Sequence, residues 1–205
     1  MVEWINLKNL SEYNKTIVTM EQKLQDVIDC KSPETIFLVE HEDVYTAGTG
    51  HNATDLLEEN EIPVVYTGRG GKFTYHGEGQ RVIYPILDLR TREQDLKLYV
   101  RNLESWIINA LARLDVDAYT IKDMVGIWVN HNNQPAKIGA IGVRVKKWVT
   151  YHGIAVNINT NLKNYKGIIP CGIAEFPVTS LKELGIEIEM QNFDSILQEE
   201  FNKIF

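Results

Sequence analysis

Residues 69–88 read RGGKFTYHGEGQRVIYPILD, and this stretch combines glycines, polar side chains and an apolar run. Glycine permits positive φ angles and close approach of the backbone to a ligand, and loops on a rigid scaffold often carry binding side chains. Residues 82–87 are apolar, as expected for a core strand. The stretch predicts either a ligand-binding loop that leads into a core strand or a plain hairpin with a glycine-rich turn.

The composition predicts one globular domain. The chain has 205 residues, 44% of them hydrophobic, which suits a single packed core. Its formal net charge of −7 argues against general binding to nucleic acid or to an acidic membrane. The sequence shows neither a long apolar run typical of a membrane span nor the pattern of a signal peptide. Two cysteines do not form a disulfide framework, so we expect a cytoplasmic protein with free thiols.

Hydrophobic periodicity changes several times along the chain. Helical spacing predicts helices over residues 11–29, with Ser11 as the N-cap, over 93–114 and over 192–204. Strand-like segments cover residues 4–7, 35–40, 44–46, 63–66, 82–87, 118–121, 126–129, 137–145 and 149–159. Residues 131–134 and 146–147 are predicted turns. Many strands with few helices favour an α+β fold, a mixed sheet flanked by helices, over regular βαβ alternation.

The two cysteines have different sequence contexts. Cys30 follows the first predicted helix, where we expect it to pack as a small hydrophobe. Cys171 stands between Pro170, which fixes φ, and Gly172, which leaves room beside the sulfur. This context fits a buried hydrophobe as well as a nucleophile on a constrained loop, and the residues alone leave both interpretations open.

Lys137 opens a strand whose other members are apolar or glycine. Its ammonium therefore either reaches solvent or is held inside for a purpose. Glycines within this strand and its partner predict close approach of a ligand or another backbone. His41 and His51 have no partner at the spacing of metal ligands, so no metal site is predicted.

Three motifs together resemble one family. They are RGG at 69–71 with TYHG at 74–77, Gln80 and YPILDL at 84–89; KI at 137–138 with AIGVR at 140–144; and PCGI at 170–173 with VTSL at 178–181. In this order they resemble the lipoyl(octanoyl) transferases, bacterial acyltransferases of protein lipoylation, over most of the chain. Two positions depart from that family: Glu78 stands where proline is usual, and Lys72 where glutamine is common.

The resemblance implies a two-step reaction. An octanoyl or lipoyl group passes from acyl carrier protein to an enzyme cysteine, and then to a lysine of a lipoyl domain, as the first step of endogenous protein lipoylation. Cys171 is the implied nucleophile and Lys137 its partner, and no cofactor or metal is expected because the donor thioester is already activated. The implied substrate-binding residues are Arg69, Gly70, Gly71, Lys72, Phe73, Thr74, Tyr75, His76, Ala140, Ile141, Gly142, Gly153, Ile154 and Ala155.

The same resemblance implies a fold, partners and alternatives. We expect one catalytic domain over residues 1–205, similar to the biotin and lipoate protein ligase catalytic domains. Expected partners are octanoyl-acyl carrier protein as donor, and the lipoyl domains of 2-oxoacid dehydrogenase E2 subunits and the glycine cleavage H protein as acceptors, with no nucleic acid and no membrane. An ATP-dependent lipoate or biotin-type ligase is one alternative, and a non-catalytic binder of acylated carriers is another. ATP dependence would identify the first, and acylation of Cys171 would exclude the second.

Charge predicts where such carriers dock. The chain is net negative, and the resemblance implies acidic carriers, so a local basic patch must guide their association. The candidates are Lys146 and Lys147 at the predicted hairpin tip, Arg144 just before them, and Arg69 and Lys72 beside the glycine-rich stretch. An ordinary solvated turn is the alternative for the hairpin tip.

Overall fold

The computed structural model describes residues 2–57, 61–172 and 175–205, so Ile173 of the cysteine motif lies outside the described residues. The strands are β1 (Glu3–Asn6), β2 (Thr35–Val39), β3 (Val44–Ala47), β4 (Val64–Tyr66), β5 (Phe73–His76), β6 (Gln80–Ile86), β7 (Ala118–Ile121), β8 (Met124–His131), β9 (Gln134–Lys146) and β10 (Val149–Asn157). The helices are α1 (Tyr13–Ile28), α2 (Leu96–Ala112) and α3 (Met190–Ile204).

A mixed seven-stranded sheet forms the centre of the molecule, in the order β1-β2-β6-β10-β9-β8-β7. β1 pairs in parallel with β2, whereas the other neighbours in this sheet are antiparallel. A second sheet has three strands in the order β4-β3-β5. The predicted α+β class with a mixed sheet is confirmed.

Successive side chains of a strand point to opposite faces of a sheet. Apolar side chains on both faces of the large sheet pack against helices. On β6, Tyr84 belongs to the cluster that packs against α1, whereas Ile83 belongs to the cluster that packs against α2 and α3. Trp106 of α2 is fully buried in the second cluster, and its Nε1 donates to the carbonyl of Leu197 in α3 at 2.8 Å. Replacing Trp106 with alanine should cost about 3–5 kcal/mol of stability, the usual range for a buried aromatic side chain.

A buried ion pair joins α3 to the sheet. Arg81 Nε lies 2.8 Å from Asp194 Oδ1, and Asn6 Nδ2 donates to Asp194 Oδ2 at 2.7 Å. Burial raises the pKa of Asp194, and the neighbouring Arg81 opposes this shift. Truncating Asp194 would leave a buried unpaired guanidinium, which typically costs about 3–5 kcal/mol.

Two local predictions about α1 are wrong. The helix begins at Tyr13 after Glu12, and Ser11 instead forms a bridge with His41, because its backbone pairs with the chain beyond β2. Cys30 does follow the helix, but it is exposed rather than packed, since the chain turns there with a φ of 56°.

The two predicted hairpin turns lie close to their expected positions. Asn132 and Asn133 form the β8–β9 turn with positive φ angles, so residues 131 and 134 already belong to strands. Lys147 and Trp148 form the β9–β10 turn in the same way. Within the described ranges, no helix combines the length and apolar character needed to cross a membrane.

Candidate active site

A cavity of about 390 Å³ is lined by residues of both sheets and by the cysteine loop. This volume falls in the range of small-molecule sites, about 300–1,000 Å³. Cys171 and Lys137 both line it. Most of the predicted substrate-binding residues also line it, namely Arg69, Gly71, Lys72, Thr74, His76, Ala140, Ile141, Gly142, Gly153, Ile154 and Ala155.

Three predicted residues, Gly70, Phe73 and Tyr75, are not part of this lining. Alternation along β5 explains two of them: Thr74 and His76 face the cavity, whereas Phe73 and Tyr75 pack in a separate core cluster. Gly70 uses its N–H to bond the carbonyl of Val143 at 3.2 Å, which joins the glycine-rich loop to β9.

Arg69 anchors this loop from inside. Only 7% of the residue is exposed, and its guanidinium donates to the Thr46 carbonyl at 2.6 Å, the Lys72 carbonyl at 2.8 Å and the Gly70 carbonyl at 2.9 Å. Burial lowers the pKa of Arg69, and the Tyr13 and Cys171 side chains act in the opposite direction. Arg69 therefore cannot belong to an exposed docking patch, and that part of the prediction is wrong.

Lys137 is held inside the protein. It is 5% exposed, its Nζ donates to the Val125 carbonyl at 3.1 Å, and the ammonium stands 4.7 Å from the centre of the Trp128 ring. Gly126, at a φ of 135°, makes room for it, because a Cβ there would lie 3.1 Å from Lys137 Cε. A carbonyl and an aromatic face stabilise the positive charge, and no carboxylate within the described ranges forms an ion pair with it.

Cys171 sits at the kink of a short 3₁₀ segment, Pro170–Gly172, with a φ of 56°. The residue is half-buried. Gly172 follows with a φ of 64°, and its N–H donates to the Ile169 carbonyl at 3.0 Å. Two consecutive residues in the left-handed region give the loop a sharp turn, which presents the sulfur to the cavity.

A buried polar network lies behind the cysteine loop. Gln80 Nε2 donates to Asn157 Oδ1 at 2.9 Å and to Tyr165 Oη at 3.0 Å, and Asn157 Nδ2 donates to the Thr179 carbonyl at 2.9 Å. A second, much smaller void of about 10 Å³ lies among Asn157, Tyr165, Lys137 and Cys171. The network ties β6 and β10 to the segment that leads into Cys171.

Aromatic and imidazole rings line another part of the main cavity, and among these rings only that of His76 was predicted from the sequence to bind substrate. Tyr84 and His152 contribute to the lining, while His41 bonds Tyr84 through Nε2 at 2.8 Å and the Ser11 carbonyl through Nδ1 at 3.0 Å. Burial lowers the pKa of His41 to about 4 and that of His152 to about 3. Burial also holds the pKa of His76 well below its ordinary value. These rings are therefore neutral near pH 7.

The signal for Tyr84 was available in the sequence. It is two residues from Val82 on a strand of period two, so both side chains share one face. His152 had no such signal, because its φ of 54° interrupts the regular alternation of β10. Nowhere in the described residues do three or more His, Cys, Asp or Glu side chains gather as metal ligands would.

Among the remaining basic-patch candidates, Lys72 is half-buried and lines the cavity, whereas the three at the hairpin lie away from it. Lys146 and Lys147 are exposed at the β9–β10 turn, as expected. Arg144 lies 5.8 Å from the centre of the Tyr151 ring and packs closely on Gly68, where a Cβ would lie 1.8 Å from its Nη1. At the hairpin tip, Lys146 Nζ donates to Gln25 Oε1 of α1 at 3.5 Å. The docking role of the hairpin tip stays a prediction.

The fold and this site define a lipoyl-ligase type of catalytic domain. The family model of the lipoyl protein ligase A/B catalytic domain matches residues 12–202. A bi-partite lipoate protein ligase from Thermoplasma acidophilum has a similar structure, with a TM-score of 0.76 at 14% identity over 100% of this chain and 84% of that chain. A biotin protein ligase from Aquifex aeolicus is also similar, with a TM-score of 0.60 at 16% identity over 98% of this chain and 69% of that chain. At such identities these likenesses show the fold alone.

Relatives at higher identity narrow the class. An octanoyltransferase from Rickettsia bellii is 58% identical and one from Rickettsia canadensis is 55% identical, each over 100% of this chain and 100% of the relative. The chain therefore belongs to the octanoyltransferases of the lipoyl protein ligase A/B family. It acts as an acyltransferase of protein lipoylation, with an acyl donor and lipoyl-protein acceptors.

Proposed function

We propose that Cys171 carries the acyl group as a thioester during transfer and that Lys137 is its proton and charge partner. The observation that carries this proposal is that both side chains line one cavity of about 390 Å³ together with the glycine-rich loop. In the first step the Cys171 thiolate attacks the donor thioester carbonyl, and the carrier sulfur leaves with a proton from the Lys137 ammonium, which becomes a neutral amine. The thiolate is the reactive form, and a nearby ammonium favours it.

In the second step the ε-amine of an acceptor lysine attacks the Cys171 thioester. An amide bond forms, the Cys171 sulfur leaves as thiolate, and the proton lost by the attacking amine passes to Lys137 in its neutral form. The carbonyl of Val125 fixes Lys137 Nζ at 3.1 Å, which supports a base of defined position. Two easier steps thus replace one direct transfer between large carriers.

Backbone N–H groups would stabilise the tetrahedral oxyanion of both steps. Those of Gly70 and Gly172 already donate to Val143 and Ile169. The N–H groups of Gly71 and Lys72 donate to no acceptor within the described residues, and both residues line the cavity. We assign the oxyanion to this pair, because preorganised free donors stabilise developing charge at little reorganisation cost.

The partners follow from the same chemistry. Octanoyl-acyl carrier protein is the proposed donor, and the lipoyl domains of 2-oxoacid dehydrogenase E2 subunits and the glycine cleavage H protein are the proposed acceptors. We propose that residues 1–205 act as one catalytic domain. The cytoplasmic location expected from the sequence stays a prediction.

Intact mass spectrometry tests the proposal. Mixing the protein with octanoyl-carrier protein, without ATP, should add one octanoyl group, and peptide mapping should locate it on Cys171. An acceptor lipoyl domain added next should remove the group and become octanoylated itself. Transfer that requires ATP, or an octanoylated acceptor without any enzyme-bound acyl group, would contradict the covalent route and favour ligase chemistry.

A further inference from the structure

We propose that Lys72 supplies a second positive charge that favours the thiolate of Cys171, in addition to Lys137. This inference rests on the proposed role of Cys171 as the nucleophile. Lys72 lines the same cavity as Cys171 and Lys137, but it reaches the cysteine loop from the glycine-rich loop, whereas Lys137 reaches it from β9.

Contact with Gly172 locates the Lys72 side chain. A methyl group on Gly172 would lie 2.3 Å from Lys72 Cδ and 2.4 Å from Lys72 Nζ. Since a carbon–carbon bond is about 1.5 Å long, Nζ lies within about 4 Å of Gly172 Cα. The ammonium is therefore beside the residue that directly follows the nucleophile. Glycine at position 172 is what permits this approach.

The backbone of Lys72 is firmly held. Its carbonyl accepts hydrogen bonds from Arg69 Nη2 at 2.8 Å and from the Gly48 N–H at 3.2 Å. A buried guanidinium thus fixes the point from which the Lys72 side chain extends. Because this backbone is held, the position of the half-buried Lys72 side chain against the cysteine loop depends only on its own rotamer.

The cationic side chains around Cys171 differ in how many hydrogen bonds they make. The Arg69 guanidinium donates hydrogen bonds to backbone carbonyls and to the Thr46 hydroxyl, and Lys137 Nζ donates to the Val125 carbonyl. In the described part of the chain, the hydrogen bonds of Lys72 are those that its carbonyl accepts, and its Nζ makes no hydrogen bond or ion pair. Asp123 is the acidic residue of the described cavity lining, and it is exposed. The ammonium of Lys72 thus lies against the residue that follows Cys171, and no carboxylate among the described residues forms an ion pair with it.

The physical effect is electrostatic. A nearby opposite charge typically shifts a titration by about 1–3 pH units, and because the Lys72 side chain is partly exposed we expect an effect at the lower end of this range. Removing the charge should move the pH profile of Cys171 alkylation upward by about one unit. At a pH below the midpoint of the profile, a shift of about one unit means about tenfold less thiolate. A thiolate of higher pKa is also more nucleophilic, so the alkylation rate should fall only about threefold.

The test measures iodoacetamide alkylation of Cys171 against pH in the full-length protein carrying Cys30→Ser. Lys72→Gln removes the charge, Lys72→Met also keeps an apolar stem against Gly172, and Lys72→Arg keeps the charge. Lys8→Gln is the matched control, since Lys8 is exposed and lies outside the cavity lining. We expect the Gln and Met variants to shift the profile by about one unit, and the Arg and control variants to retain the wild-type profile.

Two outcomes would overturn the inference. A wild-type profile in Lys72→Met would show that the charge of Lys72 does not act on the sulfur. A shift in Lys72→Arg equal to that in Lys72→Gln would show that side-chain shape matters rather than charge. The proposed function fails separately, by the absence of an octanoyl group on Cys171 in the wild-type protein, so the two failures are distinguishable.

Discussion

Cys30 and Cys171 have the same φ of 56°, and each stands near a cation. Arg90 Nη2 lies 3.9 Å from the Cys30 sulfur, but Asp88 already binds this arginine at 2.7 Å. Cys30 is also exposed and belongs to no part of the cavity lining. Cys171 lines a cavity together with Lys137 and with Lys72, whose Nζ has no hydrogen-bond or ion-pair partner among the residues that the structure describes. Both cysteines thus have a positive φ angle and a nearby cation. Only Cys171 lines the cavity and lies near a cation that has no ion-pair partner among the described residues.

The largest expected effect is on the two sulfurs themselves. Cys171→Ser should abolish octanoyl transfer, because a serine hydroxyl has no comparable anionic form near neutral pH. Cys30→Ser should retain wild-type transfer and change stability by less than about 0.5 kcal/mol, as is usual for an exposed site. Steady-state transfer to a lipoyl domain measures both. Full activity in Cys171→Ser with loss in Cys30→Ser would reverse the comparison.

Lys137 carries the next largest effect. Lys137→Met should slow transfer by about 10²-fold or more, since general acid–base groups typically contribute about 10²–10⁴-fold. Lys137→Arg should recover only part of the rate, because arginine keeps the charge but is not a base. Single-turnover acylation and deacylation, followed by mass against pH, separate the two steps. Equal rates in the Met variant and the wild type would remove Lys137 from the chemistry.

Much of this site could be predicted from sequence, for identifiable reasons. Motif order and residue type pointed to Cys171 and Lys137, and strand periodicity gave the core elements around them. The contacts of Lys72 with Gly172 could not be predicted, because the two residues are far apart in sequence and the contact depends on two positive φ angles in the cysteine loop. His152 was missed for the same reason, since its own positive φ hides the strand pattern.

Local signals failed where tertiary contacts decided the outcome. Ser11 has the chemistry of an N-cap, but its backbone pairs with residues 40–42 and the helix begins two residues later. Cys30 has the chemistry of a packed residue, but the chain turns outward at the end of α1. Arg69 looked like an exposed cation of the glycine-rich stretch, although four of its hydrogen bonds hold β3 and its own loop together.

The buried histidines define the pH range in which the cysteines can be compared. The folded pKa values of His41 and His152, about 4 and about 3, lie below the ordinary value near 6.5. The unfolded chain therefore binds more protons below pH 6.5, so stability is fully present above that pH and falls as the pH drops toward 4 and 3. Each such histidine contributes a slope of up to about 1.4 kcal/mol per pH unit.

Urea unfolding at pH 7, 6 and 5 measures this slope. His152→Phe should lower the dependence of unfolding free energy on pH by the contribution of one histidine, up to about 1.4 kcal/mol per pH unit. His131→Gln is the control, since His131 lies near the β8–β9 turn and outside the buried group. An equal slope in His152→Phe and the wild type would show that His152 is not neutral in the folded protein.

Two glycines with positive φ angles separate the effect of backbone strain from the effect of contact with Lys72. Gly172 and Gly185 have φ angles of 64° and 79°, but a Cβ on Gly185 would meet nothing within 4 Å. Each alanine substitution should cost about 1 kcal/mol of stability from the left-handed backbone. Only Gly172→Ala should also slow acylation by about threefold, the effect expected for losing Lys72 from its position.

A double-mutant cycle of Gly172→Ala with Lys72→Gln measures the coupling of these two positions. If alanine acts by displacing Lys72, the acylation rate of the double variant should equal that of the slower single variant. Multiplied effects would mean that Gly172 and Lys72 act independently on the rate.

The smallest expected effect concerns Arg90 beside Cys30. Asp88 binds Arg90 through both carboxylate oxygens, at 2.8 Å and 2.7 Å, so the pair presents little net charge to the sulfur. Solvent screens what remains, and we expect Arg90→Gln to change the alkylation rate of Cys30 by less than about twofold. The measurement uses the Cys171→Ser background, with iodoacetamide at pH 7.5. Asp88→Asn frees the guanidinium and should raise the Cys30 rate slightly. If Arg90→Gln slowed Cys30 as much as Lys72→Gln slows Cys171, paired and unpaired cations would act alike, and cavity enclosure alone would distinguish the two cysteines.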